Sequence, residues 1–105
     1  MEGIERKKVR HGDVVMTIGD KNVFFFRIQD PVGIHARPAG ALVNLSKQFK
    51  SEIIFSVGEK RAKAGSIIEL MALGAKQGTK MKVEVRGEDE KEALEAVRSF
   101  LRSNL

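Results

Sequence analysis

The chain has no cysteine, which excludes a disulfide framework, a thiolate metal site and a cysteine nucleophile. It has no tryptophan or tyrosine, and its six phenylalanines fall in strand-like or helix-like contexts, so the stacking platform of a single-strand nucleic-acid binder is not evident. No run approaches the roughly 18 apolar residues needed to span a bilayer. The longest apolar stretch near the start, Val23 to Phe26, is too short for the core of a signal peptide. Membrane insertion and export by that route are not expected, and a cytoplasmic location is. Low-complexity tracts, internal repeats and linkers rich enough to divide the chain are also missing.

What is present fits one compact domain: 105 residues, 42% hydrophobic and 31% charged. The net charge of +5 raises a nucleic-acid reading. Residues 23–105, however, carry 14 Lys/Arg against 10 Asp/Glu, spread along the sequence as a solvated surface would be. Nucleic acid is therefore not an expected partner, whereas proteins with acidic surfaces are compatible.

Residues 1–22 read as an N-terminal extension: a charged opening to Asp13, a short β-prone run at 14–18, and the turn-like Gly19-Asp20-Lys21-Asn22. Residues 23–105 read as the main domain. Val23 to Ile28 is β-branched and aromatic, with Phe24, Phe26 and Ile28 on one face. An amphipathic helix is predicted from about Pro38 to Lys50, then strands at Glu52 to Val57 and Lys60 to Ala64 around a Gly58-Glu59 turn. Ser66 to Leu73 is a short helix that Gly74 can close. Lys80 to Arg86 alternates strictly, with Met81, Val83 and Val85 on one face. The acidic turn Glu88-Asp89-Glu90 opens a last helix striped by Ala93, Leu94, Val97, Phe100 and Leu101, with Arg98 and Arg102 toward its end. The order β-α-β-β-α-β-α, one apolar stripe per helix, predicts an α+β two-layer open-faced sandwich: a four-stranded antiparallel sheet, three helices on one face, and an extra N-terminal strand at 14–18.

Between the first of these strands and the first helix lies Gly33-Ile34-His35-Ala36-Arg37-Pro38-Ala39. The first amides of a helix lack internal partners and attract anions. Pro38 suits a first helical turn but biases Arg37 away from helical geometry, so the helix starts at 36 or at 38. A neutral imidazole, reference pKa about 6.5, takes a phosphoryl group on a ring nitrogen and releases it more readily than serine. The group brings about two negative charges. Arg37 offers a guanidinium fork to them, and the helix start at Ala36, Pro38 and Ala39 takes the remainder. Taken without its surroundings, His35 would be a helix-start residue and Arg37 a surface charge.

The longer stretch Asp30-Pro31-Val32-Gly33-Ile34-His35-Ala36-Arg37-Pro38-Ala39 closely resembles the active-site signature of the HPr family, the histidine-containing phosphocarriers of the phosphoenolpyruvate-dependent sugar phosphotransferase system. The resemblance covers residues 23–105. It implies that His35 accepts phosphate, on Nδ1, from enzyme I and passes it to a sugar-specific enzyme II A domain, that Arg37 assists, and that the protein works as a monomer without cofactor or metal.

Ser66, with Glu69 three residues on, has the pattern of a capping box. The resemblance implies a second role, since this segment is similar to the one carrying the regulatory serine of HPr, the target of an HPr kinase and through it of transcriptional regulation. Gly65, where the family often has a basic residue, and Glu69, a carboxylate near the phosphate, depart from the pattern. Ile67, Ile68, Leu70 and Met71 are too many for one narrow seam, and in HPr the comparable patch docks onto enzyme I and the A domains. His11 has no ligand spacing around it, Asp89 and Glu92 read as helix-start residues, and no P-loop or dinucleotide fingerprint is present. Two further functions are carried: an HPr-like regulator of catabolite or nitrogen control, and a basic α+β nucleic-acid-binding domain whose affinity would fall steeply with salt and ignore His35→Ala.

Overall fold

A computed structural model describes residues 4–8 and 14–105 of the chain. Its order is β1 (Ile4–Lys8), β2 (Val14–Ile18), β3 (Lys21–Arg27), α1 (Ala36–Ser46), β4 (Glu52–Val57), β5 (Lys60–Lys63), α2 (Ile67–Ala72), β6 (Lys80–Arg86) and α3 (Glu90–Asn104). The strands form one antiparallel sheet ordered β1-β2-β3-β6-β4-β5. The four central-domain strands and three helices match the α+β sandwich expected from the sequence. The N-terminal segment adds two strands rather than one, because the charged stretch Ile4–Lys8 pairs along β2 from Ile4 opposite Ile18 to Lys8 opposite Val14. His11 lies outside the described residues.

Alternation decides which side of the sheet is covered. Phe24 on β3, Ile53 and Phe55 on β4, Ala62 on β5, and Met81, Val83 and Val85 on β6 are buried, and the register stacks Phe24 and Phe55 on either side of Val83. Leu42 of α1, Leu70 of α2, and Ala93, Leu94, Val97 and Leu101 of α3 close the core from the helical side. Fully burying one Leu or Phe side chain contributes about 1.5–3 kcal/mol.

Two element boundaries move, and one side chain is placed differently. Helix α1 stops at Ser46 rather than near Lys50, where Gln48 and Phe49 donate to the carbonyls of Leu45 and Ser46 in tighter turns. Strand β3 starts at Lys21, which faces Ile18 across a two-residue turn at Gly19 and Asp20. Arg98 is not a solvent-side charge near the end of α3. It lies in the apolar stripe at 6% exposure, its Nη2 reaching Glu95 at 3.3 Å while Nε and Nη1 are buried without a partner among the described residues.

Charges scattered along the sequence are segregated in space. The helices and their loops (28–51, 64–79 and 87–105) hold seven Lys/Arg and seven Asp/Glu, whereas strands β3 to β6 hold eight Lys/Arg and two Asp/Glu. With Met81, Val83 and Val85 turned to the helices, Lys80, Lys82, Glu84 and Arg86 point to the open side. The register places Arg27, Phe25 and Val23 beside them from β3, and Arg61 and Lys63 beyond β4.

Candidate functional site

The segment that carries His35 is fixed before the helix begins. The Asp30 carboxylate accepts the N–H groups of Val32 and Gly33 at 3.0 and 3.1 Å, an Asx turn that reverses the chain after β3. Gly33 has φ +81°, and a Cβ there would lie 2.3 Å from the Ala75 carbonyl oxygen. Only glycine fits this approach. Next to it, the Ile34 N–H donates to that same carbonyl at 3.0 Å, stitching the loop to the segment before β6. At the base of the loop, the Asp30 N–H donates to the Leu105 carbonyl at 2.7 Å.

His35 is the N-cap of α1, with extended backbone (φ −126°, ψ −169°), so the helix starts at 36. Its carbonyl accepts the Ala39 N–H at 3.0 Å, the first intrahelical bond. That bond corrects the expected anion cradle. Ala39 is fully buried with its amide already used, and Pro38 is buried and has no N–H. The open donors of the first turn are instead the amides of Ala36 and Arg37. His35, Ala36 and Arg37 are all exposed, and among the described residues the His35 and Arg37 side chains are engaged in no hydrogen bond or ion pair. No acidic residue sits in the first turn, so nothing there competes with an incoming anion for the positive end of the helix dipole.

The second helix lies alongside. A Cβ on Gly40 would touch Ile67 Cδ1 at 3.8 Å, and Gly40 is about 7.5 Å along the axis from His35 at 1.5 Å rise per residue. Ile68 is 78% exposed, Ile67 40% and Met71 46%. Leu70, grouped with them in the sequence reading, is fully buried and belongs to the core. Sequence reasoning passed over Val32, 63% exposed three residues before His35. An apolar residue inside the turn Asp30-Pro31-Val32-Gly33, with no strand or helix period to bury it, was the available signal.

Ser66 caps α2, its hydroxyl accepting the Glu69 N–H at 3.2 Å. The reciprocal half of the capping box is not formed. The Glu69 carboxylate turns back to accept the Lys63 N–H at 2.9 Å, and the Ser66 N–H donates to the Lys63 carbonyl. Asp89, the N-cap of α3, likewise makes no cap bond of its own. Its carboxylate accepts the Ser51 hydroxyl at 2.6 Å and the N–H groups of Ser51 and Lys50 at 2.9 Å, clasping α3 to the start of β4. The Ser51 hydroxyl, then the Lys50 amide, holds its pKa below the usual carboxylate range. Among the described residues no group of three His, Cys, Asp or Glu could hold a metal ion, and no helix is long and apolar enough to cross a membrane.

An exposed imidazole at the head of a helix, two residues from an exposed arginine and next to two open amides, has the groups to receive an anion within reach of a visiting protein. The class this defines is a small phosphoryl carrier. Residues 24–103 match the family model described as the PTS HPr component phosphorylation site. The chain is 45% identical over 76 residues to the phosphocarrier protein HPr of Lysinibacillus sphaericus, covering 72% of this chain and 86% of that protein. It is 36% identical over 83 residues to the multiphosphoryl transfer protein of Salmonella typhimurium, covering 76% of this chain and 22% of that one. In three dimensions it is similar to HPr-C-His from Thermoanaerobacter tengcongensis, with TM-score 0.73 and 34% identity over 77% of this chain and 91% of that structure. The chain belongs to the HPr family, the phosphocarriers of the phosphotransferase system. The family match begins inside β3, so β1 and β2 are an addition to it.

Proposed function

We propose that His35 is the phosphoryl acceptor, charged by enzyme I at the expense of phosphoenolpyruvate and discharged to sugar-specific enzyme II A domains in the cytoplasm. The observation that carries this reading is the exposed, uncommitted His35 side chain at the start of α1. A ring nitrogen attacks phosphorus with its lone pair, the bond from phosphorus to the donor breaks, and that electron pair returns to the donor. The acceptor's nucleophile then repeats the step on the phosphohistidine. Arg37 and the amides of Ala36 and Arg37 offset the charge on the transferred oxygens. Ile67, Ile68 and Met71, with Val32, form the apolar surface on which both partners dock in turn.

Incubation with phosphoenolpyruvate and enzyme I should add one acid-labile phosphate, read by intact mass. His35→Ala should abolish it, and Arg37→Ala should slow transfer while leaving the thermal midpoint within a few degrees. Labelling that persists without His35 would move the site elsewhere.

Ser66 is proposed as a regulatory phosphorylation site. A helix N-terminus tolerates the added charge, and the Glu69 carboxylate is drawn off toward Lys63. An HPr kinase with ATP should phosphorylate the protein and not its Ser66→Ala variant; no Ser66 phosphate would remove this role.

A further inference from the structure

The side of the sheet opposite the helices belongs to none of the chemistry above, yet strands β3 to β6 carry eight Lys/Arg against two Asp/Glu. Glu84 is shared by Arg61 at 3.5 Å and Lys82 at 3.3 Å, and Arg86 meets Glu52 at 3.0 Å. Among the described residues Lys21, Lys63 and Lys80 have no acidic partner. A half-open cavity of about 600 Å³ lies here, lined by Lys21, Phe25, Ser56, Arg61, Lys80 and Lys82 along with the turn at Gly58 and Glu59 and with Glu84. That volume lies within the range of small-ligand sites.

Phe25 is the unexpected element. It sits in the middle of β3, 46% exposed although Val23 and Ile54 on the same face are buried, and Lys80 Nζ stands 5.0 Å from the ring centroid. A cation over an exposed ring is a weak contact, and the lysine stem is long enough to swing aside. An aromatic ring framed by lysines and arginine on an open β-sheet is what base stacking and phosphate neutralisation require of a single-strand surface. The cations continue past the cavity, to Arg27 at one end of β3 and Lys63 at the end of β5, so the surface suits a strand longer than one nucleotide. An acidic polypeptide would use the cations but leave the ring without a planar partner.

The geometry points to a second binding site on this protein: the open face of the sheet, with Phe25 as stacking platform and Lys21, Arg61, Lys80 and Lys82 as phosphate contacts, binds single-stranded RNA. It is separate from His35, which lies at a loop on the helical side, and it does not rest on the phosphocarrier reading.

The test is fluorescence anisotropy with a labelled oligo(U) of about 12 nucleotides, inside the usual site size for one domain. Four phosphate contacts predict that log affinity falls with log salt with a slope of about −3. The double variant Lys21→Gln, Lys80→Gln should flatten that slope by about 1.4. Phe25→Ala should weaken binding about 5- to 100-fold with the slope unchanged, since stacking is not an ionic term, and Phe25→Tyr should restore it. Circular dichroism and phosphoryl acceptance at His35 should be the same in all three variants. The inference is overturned by no anisotropy change at low salt, by equal affinity for a polyglutamate peptide, or by a Phe25→Ala protein that binds as the parent does.

Discussion

Gly33 is where the architecture of the loop and the placement of His35 meet, and its replacement by alanine strains both. A side chain at φ +81° costs about 1–2 kcal/mol for an L-residue in the left-handed region. The new Cβ would also stand 2.3 Å from the Ala75 carbonyl oxygen and 2.5 Å from Lys76 Cα. Both are backbone atoms, which cannot rotate away, so the two segments must part. Parting them breaks the Ile34 to Ala75 hydrogen bond, a further loss of about 1 kcal/mol. The total is about 2–3 kcal/mol, against a stability of about 5–15 kcal/mol for a small domain. At roughly 4–8 °C per kcal/mol for a domain of this size, the thermal midpoint by circular dichroism should fall by at least about 8 °C. Ile53→Ala supplies the matched control, because Ile53 is buried and pairs with Val85 at the far end of the sheet, and such truncations cost about 2–5 kcal/mol. At a temperature where both variants are folded, Gly33→Ala should accept phosphate more slowly than Ile53→Ala. A midpoint within about 3 °C of the parent, or equal transfer rates in the two variants, would refute the reasoning.

Two other residues give opposite expectations for stability. Arg98 is a buried guanidinium with two nitrogens unpartnered among the described residues, and replacing a poorly satisfied buried charge with an apolar side chain of similar length is neutral or stabilising by about 1–4 kcal/mol. Arg98→Met should leave the midpoint unchanged or raise it, and a fall would show that the guanidinium is better satisfied than its geometry indicates. For Asp89 the folded pKa is depressed, so its contribution is fully present above the unfolded carboxyl value of about 3.9 and is lost as pH falls through the lower folded value. The midpoint gap between the parent and Asp89→Asn should therefore be widest near neutrality and close below about pH 4; parallel curves down to pH 2 would contradict the clasp.

How much of this was legible in the sequence depended on whether a residue's role is set locally. Strand β6 was read to the residue because strict alternation has one solution, and the start of α1 just after His35 was legible because Pro38 and the preceding glycine turn mark a helix start within a few positions. The split of the four apolar residues of α2 into exposed Ile67, Ile68 and Met71 and buried Leu70 was not available, since a six-residue helix offers too few turns for its apolar face to declare itself. Arg98 misled for a similar reason. Position 98 follows Val97 on the apolar stripe, but a basic residue late in a helix also fits the dipole rule, and only packing decides between the two. The cradle donors failed on a finer point: which amides of a first turn are open depends on where helix counting starts, and Pro38 was compatible with both starts.

The largest miss concerns charge, and its cause is geometrical. A strand of period two exports every second residue to the same face, so Lys80, Lys82 and Arg86 alternate with core residues and look diluted in the sequence. Strand pairing then sets Arg27 beside Lys80 and Phe25 beside Lys82, residues more than fifty positions apart. Helices do the reverse with their acidic residues: Glu88, Glu90 and Glu92 gather at the start of α3, on the other layer. A chain whose acids cluster in sequence and whose bases alternate is thus one whose fold separates them. The same alternation that hides one face of β6 from water makes its other face basic. An electrostatic reading of an open-faced sheet has to be taken face by face before a net charge is interpreted.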